Sequence, residues 1–240
     1  MAANLLLAIE SSTRVGGVTL ADGPRLLASR PLSAERRRAS EILPTIAELL
    51  RAAGVTPNDV AVLCYSAGPG SFTGLRVAAT VTSLWQMSTA AAVVAVPTIE
   101  VVAQNAFRAE PPPAYAAILM ESKPGFAYAG FASIDGPVPW TGIPAVVRPD
   151  EWLPSLPRPF AVLGEGLRHF RPLCEQLGLP VLDEALWPPR VEDVAALGWR
   201  MFQAGRVCAP HEITPLYIRP PECEEVYDQR RAAAREKRGE

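Results

Sequence analysis

Two short stretches of this chain carry residue types suited to phosphate chemistry: Glu10-Ser11-Ser12-Thr13 and Gly68-Pro69-Gly70-Ser71-Phe72-Thr73-Gly74-Leu75-Arg76. The second follows an apolar, strand-like segment, Val60 to Tyr65, and leads into a helix-like segment from Thr73 onward. A strand, a Gly/Ser/Thr turn and a helix N-terminus in succession form a nest, in which several backbone N–H groups point the same way and favour an anion. In the first stretch, an acid at a strand end precedes small hydroxyl residues, an arrangement that could position a Mg²⁺-bound phosphate. The same four residues equally suit a hairpin turn whose serine and threonine satisfy local backbone groups. The predicted anion site is therefore Glu10, Thr13, Gly68, Gly70, Ser71, Thr73, Gly74 and Arg76, gathered at one edge of one sheet.

The remaining inventory supplies little chemistry. A formal net charge of −2 gives no global pull toward nucleic acid or membrane. Lys123 and Lys237 are the only lysines, which removes most candidates for a Schiff base or a general base. His169 and His211 stand at no metal-ligand spacing, and Cys64, Cys174, Cys208 and Cys223 form no CxxC pair. No GxSxG or cysteine-protease context surrounds Ser71 or Cys64, so neither a catalytic nucleophile nor a metal site is predicted. The apolar run Leu5–Ile9 is too short for a signal peptide or a membrane span, and the expected location is the cytoplasm.

These residues need elements to hold them. Leu5–Ile9 is a continuous apolar run, as in a strand buried on both faces. Val15–Leu20 and Arg25–Pro31 flank the hairpin signal Asp22-Gly23. A helix is predicted from Ala34 to Ala53, with Ile42, Ile46, Leu49 and Ala53 on one face and Gly54 as its stop. Strand 60–65, a helix from Thr73 to Ala90, strand Val93–Val96 and a helix Thr98–Arg108 complete a βββαβαβα series. Pro111-Pro112-Pro113 marks the predicted domain boundary, dividing residues 1–110 from 114–220. The second part reads as strands at Tyr115–Met120 and Phe126–Ile134, an irregular proline-rich stretch from Gly136 to Pro159, and a strand at Phe160–Leu163. Helices are predicted at Gly166–Leu177 and Val191–Ala204, with a last strand at Leu216-Tyr217-Ile218. Residues 221–240 form a charged tail, solvated or disordered, or alternatively a contact for RNA phosphates.

Leu6–Thr13 and the glycine run with Phe72 and Arg76, followed late in the chain by Pro215-Leu216-Tyr217-Ile218-Arg219, closely resemble the TsaB (YeaZ) family of bacterial factors for threonylcarbamoyladenosine in tRNA. The resemblance covers most of residues 4–220. It implies an α/β fold of two actin-like (ribonuclease H-like) halves, the C-terminal one reduced, with its last helix packed back on the first half. It also implies a non-catalytic scaffold and activator of TsaD, which transfers threonylcarbamoyl to N6 of the adenosine beside the anticodon. The implied partners are TsaD and TsaE, or a second copy when TsaD is absent, with tRNA met indirectly and no membrane. Glu10 stands where the family usually has Asp, Arg38-Ala39 where His-Ser or His-Thr is common, and Glu121-Ser122-Lys123 where Asp-Ala-Arg is common. A superfamily ATPase needs a second phosphate loop of the type acid-x-Gly-Gly-Thr. Glu121-Ser122-Lys123-Pro124-Gly125 offers one glycine, and Pro124 removes a donor. Gly164-Glu165-Gly166 is the sole candidate for an adenosine loop and equally a strand-to-helix turn. No intrinsic cofactor is expected, and any nucleotide belongs at the partner interface.

A protein of this kind acts through a surface. Val77, Val81 and Leu84 make one stripe of the Thr73 helix, and Leu75, Ala78, Ala79, Thr82 and Trp85 make another. By composition both stripes could be core. The resemblance implies that the small-residue stripe faces the partner, giving an expected interface of Leu43, Ile46, Leu50, Leu75, Ala78, Ala79 and Thr82. The alternatives are a small ATP-dependent kinase or ATPase using Glu10, Thr13 and the nest, and a glycoprotease-like peptidase with bound metal.

Overall fold

Leu5–Glu10 forms β1, buried along its whole length. Its side chains alternate between two cores, Leu5, Leu7 and Ile9 facing one and Leu6 and Ala8 the other, which is why the run is apolar without a polar alternation. β2 (Gly16–Asp22) and β3 (Arg25–Leu32) fold back antiparallel beside β1. Gly23 makes the turn between them with a φ of +56°, a conformation that a side chain would resist. β4 (Val62–Gly68) and β5 (Ala92–Pro97) run parallel to β1 and complete a five-stranded sheet in the order β3-β2-β1-β4-β5. The computed structural model describes residues 4–33, 38–133 and 144–216.

Helices α1 (Arg38–Ala53) and α2 (Phe72–Ser88) cover one face of this sheet. Ile42, Ile46 and Leu49 of α1 and Ala78 and Ala79 of α2 meet Leu7, Ile9, Leu63, Tyr65 and Val93 there. The other face is closed by a helix from late in the chain, α6 (Val191–Gln203), whose Val194, Leu197 and Trp199 pack on Leu6, Ala8, Cys64 and Val96. Gly198 permits the approach, since a Cβ at that position would collide with the Cys64 sulfur. Glu192 at the start of α6 accepts a 2.7 Å hydrogen bond from Ser29 Oγ, which itself accepts one of 2.9 Å from Thr19.

The second sheet is four-stranded, β8-β7-β6-β9, built from β6 (Tyr115–Glu121), β7 (Ala127–Ser133), β8 (Ala145–Val147) and β9 (Ala161–Leu163). β8 and β7 pair antiparallel, β7 and β6 antiparallel, β6 and β9 parallel. That is the pairing of β3-β2-β1-β4 over again. A single parallel bridge from Val162 to Val181 stands where β5 runs in the first half. The chain is thus an α/β protein of two related halves, the second reduced. Helix α3 (Thr98–Ala103) lies between them, with Val101 in the core shared with α6 and Ile99 and Val102 in the core of the second sheet. Asn105, just beyond α3, donates to the carbonyls of Leu186 and Pro188, and Arg108 pairs with Asp193 of α6 at 2.7 Å.

The structure corrects several boundaries. β4 does not end at Tyr65 but continues through Gly68, where it still pairs with Pro97 of β5. Thr98–Arg108 is α-helical only to Ala103 and tightens into a 3₁₀ turn over Gln104–Arg108. The proline-rich stretch read as irregular contains both β8 and a short helix, α4 (Pro149–Ser155). Pro149 occupies the first helical turn, where its missing N–H costs nothing, and Asp150 and Glu151 follow it as favoured acids. The sequence carried that start signal, and the density of prolines masked it. Residues 34–37 of the predicted first helix, Tyr217 and Ile218 of the predicted last strand, and the tail 221–240 lie outside the described residues. Among the described residues, no helix is long and apolar enough to cross a membrane.

The close approach of α6 to β4 predicts that Gly198→Ala destabilises the protein by about 1–3 kcal/mol, the usual cost of overpacking, measured by urea unfolding. Cys64→Ala, which removes the sulfur that the new methyl strikes, should recover part of that loss in the double variant.

Candidate functional site

The two stretches singled out in the sequence meet at the C-terminal ends of β1 and β4, and they meet backbone to backbone. Ser71 N–H donates to the Ser12 carbonyl at 2.6 Å, and Ser11 Oγ donates to the Gly74 carbonyl at 2.9 Å. A Cβ on Gly70 would strike the Ser12 carbonyl oxygen, and one on Gly74 the Ser11 carbonyl oxygen. These two glycines are demanded by the neighbouring turn of the chain itself. Ser71 is the N-cap of α2, its Oγ accepting from Gly74 N–H at 3.3 Å. Gly68 N–H donates to Thr98 Oγ1 at 3.1 Å. The amides of Gly68, Ser71 and Gly74, which an anion in the nest would use, are therefore already engaged within the protein.

Glu10 sits beneath this contact, 1% exposed. Its Oε1 accepts the Ser12 N–H at 2.6 Å and the Ser12 hydroxyl at 2.5 Å, while Oε2 has no hydrogen-bond partner among the described residues. Burial pushes its pKa above the ordinary glutamate value of 4.5, opposed by the donors of Ser12 and Ser66, and the negative charge of Glu165 adds to the rise. Thr13 is buried and closes its own turn, its hydroxyl donating to the Val15 carbonyl at 3.1 Å. Thr73 is exposed at the start of α2, and the Arg76 guanidinium lies over the Phe72 ring, 5.1 Å from its centroid.

The second half repeats the device in simpler form. Gly164 and Gly166, in the loop after β9, press on the Leu119 carbonyl near the end of β6, and Gly166 N–H donates to it at 2.9 Å. Between them Glu165 is 8% exposed, with Arg168 at 3.9 Å. Glu121, the counterpart of Glu10 at the end of β6, is half-exposed and faces His169 at 4.0 Å. Lys123 lies over the Phe126 ring at 4.8 Å. No group of three His, Cys, Asp or Glu among the described residues is placed to hold a metal ion.

The expected partner surface is redistributed. Leu75, Ala78, Ala79, Thr82, Ile46 and Leu50 are all buried in this chain's own core, and of the expected interface only Leu43, 58% exposed, is on the surface. The small residues of α2 bring the helix close to its own sheet, and Thr82 satisfies its buried hydroxyl on the Ala78 carbonyl at 2.8 Å. The outward face carries Phe72, Arg76, Thr80, Leu84 and Met87, with Leu84 59% and Met87 77% exposed. A groove of about 360 Å³ runs between this face and Ile213–Pro215, with Arg76, Thr80, Ser83 and Leu84 on its helix side. Sequence reasoning gave no role to Ser66 and Thr98, whose hydroxyls meet at 3.0 Å beside the loop. Ser66, a hydroxyl at the end of an apolar strand, was the signal available.

The arrangement defines an α/β protein of the two-half actin-like class, in which the glycine loop is filled by the protein's own backbone. Residues 29–130 match the family described as "TsaD: tRNA N6-adenosine threonylcarbamoyltransferase". The chain is 26% identical over 219 residues to the tRNA threonylcarbamoyladenosine biosynthesis protein TsaB of Escherichia coli K12, covering 89% of this chain and 94% of that protein. It is 25% identical over 231 residues to the TsaB of Bacillus subtilis 168, covering 91% and 96%. The solved structure of YeaZ from Pseudomonas aeruginosa superposes with a TM-score of 0.76 at 25% identity, over 89% of this chain and 99% of that one. The chain is similar to the TsaB (YeaZ) proteins over nearly its whole length.

Two outcomes follow from the geometry. Gly74→Ala forces the Ser11 turn off the loop and should cost about 1–3 kcal/mol in urea unfolding. Because the folded protein holds Glu10 with a raised pKa, its contribution is fully present below 4.5 and is lost as pH rises through the folded value. The stability of Glu10→Gln relative to the natural chain should therefore improve as pH climbs above that point. A difference that stays flat from pH 4 to 8 would contradict the assignment.

Proposed function

We propose that this protein serves threonylcarbamoyladenosine formation in tRNA as a non-catalytic scaffold and activator, docking a TsaD transferase on the outer faces of α1 and α2. The observation that carries this is the engaged glycine loop. Ser71 N–H and the space beside Gly70 and Gly74 are taken by the turn after β1, and Gly68 and Gly74 N–H have partners within the protein, which favours a loop that holds α2 in place over one that grips a phosphate. Leu43, Leu84 and Met87, large apolar side chains held in water, supply the contact surface such a role requires. The names of the relatives and the match to the TsaD family over α1 and α2 support the same reading. The same face would pair two copies when TsaD is absent. TsaE and tRNA would join through the assembled complex, in the cytoplasm, and any nucleotide would sit at the shared surface.

Leu84 is the residue to change, because it is exposed and its replacement spares the core. Leu84→Glu should weaken the complex with TsaD by about thirtyfold or more, the size of an interface hot spot, measured by calorimetry, while the isolated chain keeps its unfolding midpoint. Unchanged affinity would remove α2 from the docking surface. Mg²⁺-dependent ATP hydrolysis by the purified chain, abolished in Glu10→Ala, would replace the scaffold with a kinase or ATPase.

A further inference from the structure

The chain passes between its two halves twice. It leaves the first half through α3 and the 3₁₀ turn Gln104–Arg108, and it returns between Trp187 and Val191. Trp187 is packed in the core of the second sheet and Val191 in the core under α6, so Pro188, Pro189 and Arg190 span the return. Both crossings are punctuated by proline, with Pro111-Pro112-Pro113 following the 3₁₀ turn in the other. Proline has no N–H to give, so these segments are poor in the main-chain donors that fasten one piece of backbone to another. The two sheets, moreover, share no strand.

One side chain supplies the missing donors. Asn105, 1% exposed, gives both protons of its amide across the gap, to the Leu186 carbonyl at 2.9 Å and the Pro188 carbonyl at 2.8 Å. Its oxygen accepts from Arg108 Nη1 at 2.9 Å, and Nη2 of the same guanidinium donates to Asp193 Oδ1 at 2.7 Å, in the first turn of α6. Asp193 is 7% exposed, and its Oδ2 has no hydrogen-bond partner among the described residues. Loss of Arg108 would therefore strand a buried carboxylate. The outgoing crossing, the returning crossing and the helix that closes the first sheet are tied at one point.

We propose that Asn105 and Arg108 form a clasp across the hinge: they bind the two crossings to α6 and so make the two halves open as one cooperative unit. With the clasp released, the halves stay joined through α3 and the proline return, but each opens on its own. The inference stands on these contacts and does not depend on the docking role proposed above.

The test is native-state amide exchange of the isolated full chain at rising urea, read by mass spectrometry. In the natural chain, the amides of β1 and β4 and those of β6 and β7 should exchange through one shared opening, with the same dependence on urea. Arg108→Met keeps the length of a half-exposed side chain and removes both of its bonds. It should separate the exchange rates of the two sets by about tenfold or more, the effect of losing a buried hydrogen bond to a charged group. Asn105→Leu, close in shape, should separate them at least as far. The double variant should go little beyond Asn105→Leu alone, because both changes break one network. Two sets that still coincide in Arg108→Met, shifted together to lower urea, would reduce the contacts to ordinary stabilisation and overturn the proposal. Two sets already apart in the natural chain would overturn it as well. If Asn105→Leu fails to fold, Arg108→Met decides alone.

Discussion

The contact on which the rest of the molecule depends is between two pieces of main chain with no side chain between them. The carbonyls of Ser11 and Ser12 lie directly against Gly74 and Gly70, and one amide, Ser71 N–H, is spent across the gap. Interiors are packed too densely for such a contact to slide, so it holds one arrangement or none. The turn after β1, the loop after β4 and the first turn of α2 consequently behave as one rigid piece. Glu10 beneath them is buried for the same reason: with the two backbones closed over it, water has no route to its carboxylate.

That closure takes up the amides of Gly68, Ser71 and Gly74. A phosphate-gripping loop must leave its amides free and its entrance open. Here the amides have internal partners, and the surface beyond them is an apolar helix face carrying Leu84 and Met87. The same economy appears in the second half, where Gly164 and Gly166 close on Leu119. In both halves the glycines stand where the neighbouring backbone needs the room.

Much of this was legible in the sequence. The unbroken apolar run of β1 announced a strand buried on both faces, Asp22-Gly23 announced the hairpin, and the Gly/Ser/Thr turn announced a helix beginning near Thr73. The meeting of Glu10–Thr13 with Gly68–Arg76 also followed from the strand pattern. What stayed hidden was which stripe of α2 faces inward. Alanine, threonine and leucine at helical spacing suit a sheet and a partner helix equally well, and only the distance from α2 to β4, fixed by the three-dimensional packing, separates them. Ser66 and Thr98 were invisible for a related reason: each is an ordinary polar residue at a strand or helix end, and their meeting beside Gly68 exists only once β4 and α3 are assembled. The helix at Pro149 was lost because proline breaks most helices and yet begins some.

Helix α6 is supplied by residues 191–203, yet it closes the second face of a sheet whose strands are finished by residue 97. During synthesis on a ribosome, Leu6, Ala8, Val62 and Cys64 therefore wait uncovered while about half the chain is still being made, and residues that emerge first are completed last. The lower stretch of the molecule becomes a template in search of its lid, vulnerable to chaperone capture and to aggregation until Gly198 slides over the sulfur of Cys64. Completion of the first sheet thus depends on a helix made long after its strands.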